Sequence, residues 1–326
     1  MIAEQTASAV AFANIALIKY WGNRDDALRL PANGSISMNL DGLLTRTRVE
    51  WGGSRRKDSL TINGRSISGN GLQRVSLFLD IIRKMVGFSL AAQVTSKNNF
   101  PSGAGIASSA AAFAALALAG SKAAGLELSE AELSRLARRG SGSACRSIPS
   151  GFVEWRMDEG DAGSFASSLA PPEHWELADC IAILSTEHKT VGSTTGHALA
   201  GTSPLQAGRI TGAPHRLDLC RRAILERDFE ALAAVVELDS NLMHSVMVTS
   251  TPPLFYWQPS TLAVMTQVRD WRSGGLPVCY SVDAGPNVHV LTEAIQGGKI
   301  ASMLAAMPGV QEVRVAHVGG PAKLVE

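Results

Sequence analysis

Pro101-Ser102-Gly103-Ala104-Gly105-Ile106-Ala107-Ser108-Ser109 stands directly before an alanine-rich, helix-periodic run that continues to residue 124. Small residues let backbone N–H groups approach an anion, and the first turn of a helix offers free donors and the positive end of the dipole. The stretch is therefore a candidate phosphate seat. A helix start packed too tightly for larger side chains would read the same way, and the residues alone leave both readings open. Two familiar phosphate signatures do not fit: there is no Gly-Lys-Ser/Thr, and a GxGxxG fingerprint would need glycine where Ser108 stands. Residues 104–118 are apolar, but they fall short of the roughly 20 a membrane span needs and the run ends at Lys122, so they predict a buried helix.

Outward toward the N-terminus the pattern is β-rich. Residues 8–20 read as a strand running into the polar turn Trp21-Gly22-Asn23-Arg24-Asp25-Asp26, and residues 36–40, 45–51 and 59–62 alternate with period two between Gly, Asn and Asp. Helical patterns occupy residues 72–85, 107–124 and 129–138, the last with Ser129 and Glu132 spaced as a capping box. Beyond them, residues 180–185 predict a strand, 204–222, 229–247 and 260–273 helices, 278–282 and 288–291 strands, 292–307 a helix and 310–318 a strand. The mixture has no steady βαβ rhythm, and a domain boundary is placed near 187, giving units 1–187 and 188–326.

Composition narrows the function classes. With 326 residues, 45% of them hydrophobic and 18% charged, the chain can bury about two cores. Thirty Lys+Arg against 29 Asp+Glu give a formal charge of +1, so no global field draws it to nucleic acid or to an anionic membrane. Any anion must be held by a local pocket. Cys145, Cys180, Cys220 and Cys279 are scattered without CxxC, and the seven histidines form no HxH or HxxxH group. A protein-ligated transition metal is not expected, and free thiols predict a reducing cytoplasm. The early Glu4, the absence of a basic opening and Lys19 predict no secretory leader.

Two further stretches carry chemistry. Ser141-Gly142-Ser143-Ala144-Cys145-Arg146-Ser147 combines hydroxyls with one guanidinium, whose planar fork matches a carboxylate or phosphate. Arg146 could equally pair with an acid such as Glu154. Tyr280-Ser281-Val282-Asp283-Ala284-Gly285-Pro286-Asn287 ends an apolar strand on an acid. Asp283 there is either a base or electrostatic partner facing a cleft, or a turn residue bonding its own backbone.

Together with Asn14-Ile15-Ala16-Leu17-Ile18-Lys19-Tyr20-Trp21-Gly22, Asn98-Asn99-Phe100-Pro101 and Gly151-Phe152-Val153-Glu154-Trp155, these stretches resemble, in order and over nearly the whole chain, the mevalonate diphosphate decarboxylase family of the GHMP kinase superfamily. The resemblance implies an α+β GHMP kinase fold, with an N-terminal ATP-binding domain like ribosomal protein S5 domain 2 and a C-terminal ferredoxin-like α/β sandwich. It implies ATP and Mg²⁺, a 5-phosphorylated mevalonate as substrate, and a homodimer. Carried over by position, Asp283 is expected at the C3 hydroxyl and Arg146 at the C1 carboxylate. Lys19, Tyr20, Asn23, Ser141, Ser143 and Ser193 are expected around the substrate. Asn98, Pro101, Gly103, Ala104, Gly105, Ala107, Ser108 and Ser109 are expected around ATP, with Ser108 near the metal.

One position departs from the pattern. Family members using the 5-diphosphate usually read Lys-Tyr-Trp-Gly-Lys, whereas this chain has Asn23 after Gly22. A lost charge-assisted contact is worth roughly 1.5–3 kcal/mol, so a substrate with one phosphate fewer is expected, unless Lys19 or Arg24 reaches in. A kinase that stops after phosphorylating the alcohol is the alternative. The pairing of Asp283 with Arg146 argues against it.

Overall fold

The first strand is built from a run that is apolar on both faces, and it is buried without interruption from residue 8 onward. In the computed structural model, which describes residues 5–100, 108–158, 160–187 and 191–326, it spans Gln5–Ile18. Ala9 and Ala11 share a core with the Gly69–Val86 and Ser108–Ala123 helices, whereas Ala13, Ile15 and Leu17 share one with Ile181, Leu217 and Val236 from the second half. One strand thus serves two cores.

Its partner is a single strand, Ser35–Trp51, where the periodicity predicts two. Asp41-Gly42-Leu43 reads as a break but is a bulge: Phe12 pairs with Leu44 and Ala13 with Leu40, and Gly42 takes φ +83°. Ala92–Asn98 flanks the far half of this strand and Phe152–Trp155 the near half. Ser59–Ile62 joins Ala92–Asn98 in parallel, and Lys323–Val325 returns to the edge of Gln5–Ile18. The capping box at Ser129 forms as its spacing predicts, ahead of the Glu130–Gly140 helix.

A second sheet has the order Val278–Val282, Val288–Glu293, Leu177–Ile183, Glu312–His317, all antiparallel. Helices between its first and second strands in sequence, and Gly297–Ala305 between its third and fourth, give the β-α-β-β-α-β course of a ferredoxin-like unit. Leu177–Ile183 lies in the second sheet, and the C-terminal strand crosses back to the first. The helix expected over residues 204–222 is two, Gln206–Thr211 and Ala213–Glu226, because Pro214 lacks the N–H to continue. The helix expected from residue 292 begins at Gly297, because Thr292 is still paired with Val278. Phe229–Val248 is long and apolar enough for a membrane span, with mean hydropathy 1.2, but 61% of that window is buried against neighbouring elements.

Candidate active site

The Gln5–Ile18 strand runs out at Lys19-Tyr20-Trp21, and the C-terminal half holds this segment by its backbone. Asp239 accepts the Lys19 N–H at 2.6 Å, and Arg209 donates to the Lys19 carbonyl at 2.6 Å. Gln206 donates to the Trp21 carbonyl at 2.9 Å, and His197 Nδ1 accepts the Gly22 N–H at 2.9 Å, which places the imidazole proton on Nε2. The Asp239 carboxylate is buried, and Arg216 supplies its counter-charge at 2.6 Å. Gly22 takes φ +93°, and a side chain there would run into Gln206. The His197 ring stacks on Tyr20 with centroids 4.2 Å apart.

This clamp aims Lys19 at Asp283. Lys19 Nζ lies 2.6 Å from Asp283 Oδ1; the lysine is 1% exposed and the aspartate 23%, so the pair opens to solvent from its acid side. Asp283 follows the Val278–Val282 strand in a turn fixed from below, where Asn287 Oδ1 accepts the N–H groups of Leu184 and Ser185 and Thr261 donates to the Pro286 carbonyl at 2.7 Å. Burial pushes the Asp283 pKa up, but Lys19, His289 and Arg146 together outweigh it and hold the carboxyl below its usual range. Asp283 thus stands in a turn, where the Gly285 N–H donates to its backbone carbonyl at 2.7 Å, with its carboxylate on Lys19.

Arg146 is buried on the 3₁₀ segment Gly142–Ser147. It does not pair with Glu154, which is taken by Arg221 at 2.8 Å. Its Nη1 donates to Ser35 Oγ at 2.5 Å and its Nη2 to Asn14 Oδ1 at 3.2 Å, while its Nε–H has no protein partner. Two neutral oxygens thus orient the fork without neutralising it. Burial works against its charge, and Asp283 and Tyr20 support it.

Asp283 and Arg146 line one cavity of about 280 Å³, near the small end of the roughly 300–1,000 Å³ common for small-ligand sites. Lys19, Tyr20, Ser141, Ser143, Ser193, Ser108 and Ser109 line it too, so most of the expected site residues converge. Ser109 and Ser141 are joined through their hydroxyls at 3.1 Å, and Gly142 is glycine because a Cβ would strike the Tyr20 ring.

Three expectations change. Asn23 does not line the cavity; it stands behind Tyr20, whose hydroxyl donates to it, and its amide donates to Asp26 at 2.7 Å. Asn98 is also absent from the wall: its side chain accepts from Thr45 at 2.8 Å at the sheet. Arg24 is exposed and donates to the Asp158 carbonyl, away from the cavity. Pro101, Gly103, Ala104, Gly105 and Ala107 lie outside the described residues.

The sequence reading did not find Arg29, Arg74 or His197, all on the cavity wall, nor Asp239 and Arg209 behind it. None sits in a motif of its own, and each acquires its place only through contacts far apart in sequence. Among the described residues no cluster of three His, Cys, Asp or Glu could hold a metal. All four cysteines are free and buried, and burial pushes each thiol pKa up, which makes them poor nucleophiles.

His244, buried beneath Asp283, has its pKa pushed down to about 3 by burial. The unfolded chain takes up a proton near pH 6.5 that the folded chain refuses, so stability is full above that pH. It should fall by roughly 1.4 kcal/mol per pH unit as the pH drops toward the folded value. Urea midpoints between pH 4 and 8 should show this slope, and His244→Gln should flatten it; an unchanged slope in the variant would assign it elsewhere.

The comparisons with known proteins agree with this geometry. Residues 11–166 match the diphosphomevalonate decarboxylase-like N-terminal domain, and residues 180–322 the mevalonate 5-diphosphate decarboxylase C-terminal domain. The diphosphomevalonate decarboxylase of Candida albicans is 38% identical over 317 residues, covering 92% of this chain and 87% of that protein. The human one is 39% identical over 318 residues, covering 90% and 78%. The mevalonate diphosphate decarboxylase of Enterococcus faecalis superposes with a TM-score of 0.92 at 36% identity, over 99% of this chain and 100% of that one. Another structure, of MDDEF in complex with MVAPP, AMPPCP and magnesium, gives 0.94 at 37% identity, with the same coverage. A GHMP kinase fold, a carboxylate and a guanidinium on one cavity wall, and likeness along nearly the whole chain place this protein in the mevalonate diphosphate decarboxylase family.

Proposed function

We propose that this chain uses ATP to decarboxylate 5-phosphomevalonate, giving isopentenyl phosphate, ADP, phosphate and CO₂. The observation that carries the reading is the shared cavity of Asp283 and Arg146, with Lys19 seated on the acid. The relatives named above act on, or bind, the 5-diphosphate. The monophosphate is favoured here because Asn23 brings no charge to the position after Gly22 and does not line the cavity.

A tertiary alcohol is a poor leaving group, so phosphorylation must precede C–O cleavage. Asp283, ionised and of low basicity, orients the C3 hydroxyl toward the γ-phosphate; as the O–P bond forms and the bond to ADP breaks, the hydroxyl proton passes to a phosphoryl oxygen and later leaves with inorganic phosphate, and the Asp283 charge stabilises the cation developing at C3 as the C–O bond breaks. Lys19 keeps that carboxylate charged and fixed. Arg146, its fork set by Ser35 and Asn14, holds the C1 carboxylate so that its bond to the chain aligns with the departing phosphate. All six of Ser141, Ser143, Tyr20, Ser193, Ser108 and Ser109 line the one cavity; the first four are assigned to the substrate, and Ser108 and Ser109, at the start of the Ser108–Ala123 helix, to the nucleotide. The absence of an acidic cluster among the described residues suits a Mg²⁺ ion held mainly by ATP phosphates with the Ser108 hydroxyl, where it would neutralise phosphate charge.

A cytoplasmic homodimer completes the proposal. The free, buried cysteines support the compartment, and the family resemblance supports the dimer.

Product analysis tests the reading. With ATP, Mg²⁺ and 5-phosphomevalonate, CO₂ and ADP should appear in equal amounts, with kcat/KM about tenfold or more above that for the 5-diphosphate. ADP without CO₂ would mean a kinase, and the reverse preference would restore the diphosphate as substrate.

A further inference from the structure

The cavity wall carries more positive charge than Asp283 can answer. Among the described residues it presents Lys19, Arg29, Arg74 and Arg146 against that one carboxylate. Lys19 is paired with Asp283, and Arg146 is oriented beside them. Arg29 and Arg74 are held apart from that ion pair, on the carbonyls at the end of one helix.

Arg29 Nε donates to the Arg139 carbonyl at 3.0 Å, and Arg74 Nη2 to the neighbouring Gly140 carbonyl at 2.8 Å. Both guanidiniums are thus pinned by consecutive carbonyls at the C-terminal end of the Glu130–Gly140 helix, beside Ser141 and Ser143 on the same wall. Arg74 also lies over the Phe113 ring at 4.6 Å, and its buried Nε–H has no partner. Among the described residues no carboxylate pairs with either guanidinium, so the two like charges repel one another; burial and Arg29 lower the Arg74 pKa to about 10. Arg29 also sits at φ +51°, a left-handed conformation that a non-glycine side chain adopts at a cost.

We infer that Arg29 is a specificity-determining contact for the substrate's phosphate, reaching it beside Arg74 on a wall that Asn23 does not line. This rests on the proposed substrate class.

Steady-state kinetics and calorimetry with 5-phosphomevalonate test this. In Arg29→Ala the KM should rise about 10- to 100-fold, the loss expected for one charge-assisted pair, with a smaller change in kcat and an unchanged KM for ATP. Arg29→Lys should recover part of the loss. Arg29→Gly, which relaxes the left-handed backbone, should show the same KM defect without loss of melting temperature. An unchanged KM in Arg29→Ala, or a rise confined to the KM for ATP, overturns the inference. Calorimetric Kd values for 5-phosphomevalonate read the contact without turnover. If the parent binds it but forms no CO₂, the proposed reaction falls, while a 10- to 100-fold weaker Kd in Arg29→Ala still upholds the contact and an equal Kd overturns it.

Discussion

Asp283→Asn is expected to keep its fold and lose turnover by about 10²- to 10⁴-fold. The amide has the size of the carboxylate and can still accept a hydrogen bond from Lys19, so the 2.6 Å contact and the turn braced by Asn287 should survive. The negative charge does not survive, and with it goes the group that would stabilise a cation at C3. The KM for ATP should change little, because Ser108 and Ser109 stand on a separate helix. A kcat within tenfold of the parent would remove Asp283 from the chemistry. Because Lys19 and Arg146 hold the carboxyl below its usual range, the parent should also show no acid limb from this group above about pH 4.

The second large effect is structural. Asp239→Ala should destabilise the chain by about 3–5 kcal/mol, read as a lower urea midpoint at unchanged slope. Asp239 is fully buried; it accepts from Arg216 and from the Lys19 N–H at 2.6 Å each, with Arg209 at 3.9 Å. Its removal strands two buried guanidiniums and an amide at once. Asp239→Asn keeps an acceptor without the charge and should fall between parent and alanine variant. A loss below about 1 kcal/mol for Asp239→Ala would show that this network does not hold Lys19 in place. Since the same contacts carry Lys19 to Asp283, the surviving folded enzyme should also lose kcat.

Alternation and capping are local, and they were legible. The strand through Val10 and Ile15, the Ser129 capping box and the helix beginning at Ser108 follow from side-chain period and from groups three residues apart. Errors came where neighbours decided. Asp41-Gly42-Leu43 resembles a turn until the partner strand absorbs it as a bulge, and Ala92–Asn98 alternates too weakly to announce a strand before its buried side is known. Most of the site was legible through its motifs, including Asp283, Arg146 and the serines.

The sequence by itself determined the family, the two-core composition and the types of group available for chemistry, because these are properties of residues and of short spacings. Only the tertiary structure decided which groups meet. Lys19 and Asp283 are 264 positions apart, and Asp239 and Lys19 are 220 apart. The place of Arg29 on the cavity wall depended equally on folding, since a charge on a turn has no direction until a distant helix end supplies the carbonyl that fixes it. Local periodicity encodes which face of an element is buried, but the partner of a buried charge is set by packing between elements that the chain order keeps apart.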